Sequence, residues 1–263
     1  CAGFSLVFGL MNILNLAHGS CYLLGAYVGL TFIQLTDNYL VGLLFGGLAA
    51  GIIGFLMQRF LVNRVYGKRL LQVLLTMGCM FIIGDGAILF WGADPVILAK
   101  PKCLASSVHF ANIVFPSYRL FIILVGTLFA IGLWFFQEKT KWGAIIRAAV
   151  DDEMMARAVG INVSLLLILV FTLGTALTGI SAVLGGPFVG IYPGIDLEIL
   201  LLAVIVVIIG GLGSMKGAFF ASLIVAFLDN FGKAFFPELA MFTLFAPLII
   251  IIAIKPTGLW GRN

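Results

Sequence analysis

Polar side chains are scarce in this sequence, so those that interrupt its apolar stretches are where chemistry could reside. The densest set is Asn12-Ile-Leu-Asn15-Leu-Ala-His18-Gly19-Ser20, with two amides, an imidazole and a hydroxyl in an apolar setting. In hydrocarbon each such group needs a partner. If the segment is helical, Asn12, Asn15 and Gly19 fall near one face. Two readings stay open: hydrogen bonds to a neighbouring helix, or a break in the helix lining an aqueous or solute cavity. Gly185-Gly186-Pro187 is a second candidate break, because Pro removes an N–H and Gly loosens a helix. Paired discontinuities in two halves of a chain point to a transport path. Asn12, Asn15, His18, Gly19, Gly185, Gly186 and Pro187 are therefore the candidate pathway residues.

Asp85 and Asp229 lie within apolar runs. An acid there has a proton or ion role, or is held by hydrogen bonds or a cavity; Asp229 is near the end of its run and can face the interface. No catalytic constellation is visible. His18 and His109 are far apart, and neither a His–Glu metal spacing nor a nucleophile elbow exists. Gly210-Gly211-Leu-Gly213-Ser214-Met-Lys216-Gly217 resembles a phosphate loop only superficially, lacking the Lys-Ser/Thr pair and a strand–helix context. A tight turn between two apolar runs is expected. Neither a metal nor a bound cofactor is predicted.

Charge concentrates in residues 137–164, which hold Glu138, Lys139, Lys141, Arg147, Asp151, Asp152, Glu153 and Arg157. Residues 142–159 read as a helix, with Arg147–Asp151 and Glu153–Arg157 as i,i+4 pairs and Gly160 as a left-handed C-cap. Ile145, Ile146, Ala149 and Ala156 leave part of it apolar. Such a helix is either a solvated loop helix or a docking element for a soluble partner.

The elements that must position these groups are membrane spans. Of 263 residues, 62% are hydrophobic and only 10% charged, with mean hydropathy +1.20. A water-soluble surface cannot be built from this composition. Apolar runs fall at about 3–17, 19–36, 39–58, 70–92, 118–136, 165–187, 198–213, 217–233 and 239–254. The chain begins with Cys1 inside an apolar run, so residues are expected to precede it. The four cysteines show no disulfide or metal spacing.

Threading these runs puts loops 59–69 and 137–164 and the tail on one side, and loop 92–117 with the connections 191–198 and 232–238 on the other. The first side then collects Arg59, Arg64, Lys68, Arg69, Lys139, Lys141, Arg147, Arg157, Lys216, Lys255 and Arg262. The second collects Lys100, Lys102, Arg119 and Lys233. This asymmetry marks the first side as cytoplasmic and accounts for the net charge of +4 without nucleic-acid binding.

Four motifs resemble one family. The stretch from Gly3 through Asn15-Leu16-Ala17-His18-Gly19 is similar to the N-F-A-H-G signature of permeases of branched-chain amino acid ABC importers, with Leu16 where Phe is usual. Gly143, Arg147, Asp152, Ala156, Gly160 and Asn162 match the spacing of that family's cytoplasmic coupling segment. Gly210-Gly211, Gly213-Ser214 and Gly217-Ala218 match in order, as does the tail Lys255-Pro256, Gly258-Leu259 and Gly261.

The resemblance implies an all-α polytopic membrane protein, a type II ABC importer permease-like bundle of about 8–10 transmembrane helices. It implies one transmembrane domain over residues 1–263 in a bacterial cytoplasmic membrane. Within it, Arg147, Asp151, Asp152, Glu153, Ala156, Arg157 and Gly160 of segment 137–164 would couple to an ATPase. The implied partners are a second, homologous permease chain, two cytoplasmic ATPase subunits that carry the ATP, and a periplasmic substrate-binding protein. Branched-chain or other apolar amino acids are the expected solutes; urea, short amides or small organic acids are the alternative within the family. Two readings outside it remain: a stand-alone ion-coupled transporter using Asp85, and a membrane scaffold, which has no need of Asn15 and His18 at depth.

Overall fold

The computed structural model describes residues 1–11, 15–101, 104, 106–110, 113–235 and 237–261. Each apolar run becomes a helix: α1 (Ala2–Met11), α2 (Ala17–Thr36), α3 (Tyr39–Leu56), α4 (Arg69–Trp91), α5 (Ser117–Lys139), α8 (Val163–Val189), α9 (Ile195–Gly210), α10 (Met215–Phe235) and α11 (Ala240–Ile254). The charged segment forms α6 (Lys141–Asp151) and α7 (Glu153–Ala158). The fold is an all-α polytopic membrane bundle. Among the described residues, five helical stretches are long and apolar enough to cross a bilayer: 39–65, 69–91, 117–139, 163–189 and 215–235.

α2, α3 and α8 form the packed centre because small residues let their backbones meet. A β-carbon on Gly25 would come within 2.5 Å of the Gly179 Cα, and one on Gly46 within 2.6 Å of the Gly25 carbonyl. Such approach gives dispersion contacts that lipid cannot match. The expected break at Gly185-Gly186-Pro187 is not there: α8 runs through to Val189 with Pro187 inside it. The cause lies elsewhere in the chain. Pro187 cannot bond the carbonyl four residues back, Val183. The Tyr39 hydroxyl donates to that carbonyl at 2.7 Å, and the Tyr118 hydroxyl to the next one, Leu184, at 2.7 Å. The two hydroxyls lie 2.8 Å apart.

The loops sort by side as threaded. On the side with fewer basic residues, Val96 bridges Ile191, and a short hairpin of β1 (Ser107–Phe110) with β2 (Ile113–Pro116) fills the 92–117 connection. On the basic side, Tyr66 bonds Glu153, Asn63 bonds Ser164, and Lys216 lies 4.0 Å from Glu138. The turn Gly210–Gly213 joins α9 to α10, with Gly211 at φ +96°. The tail packs on it, Leu259 N–H donating to Ile209 and Trp260 N–H to Gly210.

Candidate functional site

Two regions carry the polar chemistry. The first is the meeting of α2, α4 and the start of α9. α2 begins at Ala17, so His18 and Gly19 sit in its first turn rather than in a break; the chain departs from helix just before, at Asn15 and Leu16. Asn12 lies outside the described residues. Asn15 is buried, and its amide has no hydrogen-bond partner among the described residues. The Leu16 N–H is taken up by the Thr76 hydroxyl on α4 at 3.3 Å. His18 is buried against the Phe4 ring at 5.1 Å, with Nε2 2.8 Å from Thr178 Oγ1. Thr178 in turn donates to the Gly174 carbonyl at 2.8 Å. With that hydrogen directed to Gly174, Nε2 carries the imidazole proton and donates to Thr178.

Gly19 has a steric reason. A β-carbon there would run into the Asp196 carbonyl. Its absence lets the first turn of α9 lie against α2 and places Asp196 beside Ser20. The Ser20 hydroxyl is 3.0 Å from Asp196 Oδ2 and 3.3 Å from the Met80 carbonyl. Asp196 is only 7% exposed. It lines a recess of about 190 Å³, together with Leu23, Met80, Phe81, Gly84 and Asp85. Sequence reasoning missed Asp196, because it falls in the short 191–198 connection between two apolar runs. Gly185 and Gly186 lie elsewhere, at the end of α8, where Tyr22 and Leu98 occupy the space their side chains would need. Thus His18 and Gly185 share the α2–α8 contact, through Thr178 and Tyr22, and neither lines the recess.

The second region is the α6–α7 element. It is two helices, not the one expected over 142–159, because Asp152 is extended (φ −149°) and caps α7, its carboxylate accepting the Met155 N–H at 2.9 Å. Thr140 caps α6 through the Gly143 N–H at 3.1 Å. Gly143 permits the sharp corner after α5, since a β-carbon would meet the Gln137 carbonyl, and the Arg147 guanidinium donates to the same carbonyl. Glu153 and Arg157 pair at 2.7 Å as their spacing predicts. Gly160, at φ +91°, ends the element, with the Ile161 N–H returning to Ala156 at 3.0 Å. Asp151 is the last residue of α6 and is exposed.

The apolar residues divide in an unexpected way. Ile146, Ala149 and Ala156 are buried against the chain's own core, with Ile145 packed beside them. The side chains left outward include Trp142, Met154, Met155 and Val159, with Met154 83% exposed and Met155 62%. Tyr66 fixes the element from the other loop, donating to Glu153 Oε2 at 2.8 Å. Burial first, then this hydrogen bond and the carboxylate charge, push the Tyr66 phenol up to about 12, so it stays a donor at physiological pH.

The profile of the family described as "Branched-chain amino acid transport system / permease component" matches residues 2–254. The chain is similar to the high-affinity branched-chain amino acid transport system permease protein BraD of Pseudomonas aeruginosa, 29% identical over 99% of this chain and 90% of that protein. It is 27% identical to the corresponding protein LivH of Escherichia coli K12, over 99% and 89%. Half of the chain is 27% identical to 39% of the fructose import permease protein FrcC of Rhizobium meliloti. No solved structure matches.

Proposed function

Starting from the fact that the chain belongs to the family of permease components of branched-chain amino acid transport systems, we propose that it is one permease subunit of an ATP-driven importer. In this reading it lies in a bacterial inner membrane and moves branched-chain or other apolar amino acids delivered by a periplasmic binding protein. A second permease chain completes the pathway. Two cytoplasmic ATPase subunits supply the energy, and this chain hydrolyses nothing. What supports the reading most is the α6–α7 element: an exposed Met pair, Trp142 and Val159, rimmed by Asp152, Glu153 and Arg157, on the basic side of a membrane bundle. Exposed apolar surface of that kind fits a partner's groove, and Met adapts to its shape. Buried Ala156 and the Gly160 cap hold the element, Asp152 and Arg147 set its corners, and Asp151 closes α6 with its side chain outward.

For ATP to drive transport, the ATPases must hold this element differently in each state. Tyr66 and Asn63 then pass its displacement to the junction of α3 and α4, and α4 forms one wall of the recess. Met154→Glu with Met155→Glu should abolish copurification of the ATPase subunits and ATP-dependent uptake of leucine, while the chain still accumulates in the membrane. Leucine uptake that persists without any ATPase partner would overturn the reading. Collapse of that uptake in Asp85→Asn would then favour an ion-coupled carrier.

A further inference from the structure

We propose that the recess between α2, α4 and the start of α9 is the subsite for the cationic amino group of the transported solute, with Asp196 and Asp85 as its anionic partners. The proposal rests on the permease reading and adds to it the residues that would receive the ammonium group of an apolar amino acid.

Four observations converge on it. First, Asp196 is a buried carboxylate at membrane depth whose hydrogen-bond donor is the Ser20 hydroxyl, and no basic side chain among the described residues pairs with it. A buried carboxylate is costly without a countercharge. Second, the carboxylate borders a cavity rather than packed core. Gly84 keeps that space open: even an added β-carbon there would stop 3.9 Å short of Asp196 Oδ2. Third, Asp85 opens on the same recess and is exposed, about 9 Å from the Trp91 end of α4 at 1.5 Å per residue. An acid at that depth belongs on an aqueous path or against protein, not in lipid. Fourth, the other walls are Leu23, Met80 and Phe81, which suit an aliphatic side chain. Two carboxylates on one small cavity attract a cation and repel a solute whose sole charge is negative. Small organic acids are thereby disfavoured as cargo, and amino acids favoured over neutral amides.

The test places a thiol in the recess of the assembled importer in membrane vesicles. Gly84→Cys is made with the native cysteines replaced by alanine, and is labelled with cationic and anionic methanethiosulfonate reagents. The cationic reagent should react at least tenfold faster, and Asp196→Asn should cut that ratio to a few-fold. Should Asp196→Asn fail to accumulate, Asp85→Asn, at an exposed position, carries the same comparison. Excess leucine should slow the labelling, while 4-methylpentanoate, its carbon frame without the amine, and urea should not. A ratio near one, a ratio indifferent to both acids, or equal protection by 4-methylpentanoate would overturn the subsite. The reagent ratio requires no transport, so it is read independently of uptake. Normal ATP-driven leucine uptake with no charge preference would sink the subsite and leave the permease reading standing. A strong charge preference without ATP-driven uptake would do the reverse.

Discussion

α5 and α8 have almost the same mean hydropathy, 2.2 and 2.3, yet their most apolar windows are 0% and 56% buried. Hydropathy puts both helices in the bilayer and says nothing about which becomes the core. The difference lies in what meets their small residues. Gly174 and Gly179 of α8 receive the backbones of α1 and α3, whereas Gly126 and Gly132 of α5 face open space. Inside a membrane there is no hydrophobic force between helices, so close approach and polar contacts decide. α5 is instead held by its ends. At the start, Tyr118 bonds the Leu184 carbonyl and Arg119 lies over the Phe188 ring at 5.0 Å. At the finish, the Thr140–Gly143 corner locks it to α6, and Lys216 lies over Trp134 at 5.7 Å.

Five substitutions probe this contrast. Gly179→Leu should destabilise the chain by about 3 kcal/mol, because backbone cannot move aside, whereas Gly126→Leu should stay within about 0.5 kcal/mol. Thermal unfolding in detergent reads both, and equal costs would mean that α5 is packed after all. Tyr118→Phe removes the hydroxyl that bonds the Leu184 carbonyl at 2.7 Å and should cost about 1 kcal/mol by the same assay. Thr140→Ala removes the cap at the other end of α5 and should cost about 1 kcal/mol. It should also raise hydrogen exchange in residues 141–144 before any global change. Arg119→Gln should cost about 0.5 kcal/mol at most; a larger loss would show that α5 leans on α8 along more than its first turn.

Local patterns were legible in the sequence. Helix positions, the Glu153–Arg157 pair, the Gly160 cap and the glycine turn at 210–213 each depend on residues a few places apart. What was not legible depends on residues far along the chain. Gly-Gly-Pro reads as a break until Tyr39 supplies the donor that Pro187 lacks, with Tyr118 bonding the next carbonyl. Ile146 and Ala149 read as a docking face until the body of the bundle covers them, leaving Met154 and Met155 outside. Asp196 is hidden within the 191–198 connection until Gly19, on another helix, admits it to the interior. Asp152 was noted for its charge, yet its larger structural effect is to divide the segment in two.

The tyrosine repair of Pro187 also has an order in time. Its donors precede its acceptors by 144 and 66 residues, and a chain made from its N-terminus delivers Tyr39 and Tyr118 to the bilayer before Val183 and Leu184 exist. The two carbonyls therefore enter a membrane that already contains their partners. A rearranged gene that placed α8 ahead of α3 and α5 would encode every contact of the finished bundle. It would nevertheless ask α8 to insert with the Val183 carbonyl lacking the donor that Pro187 cannot supply.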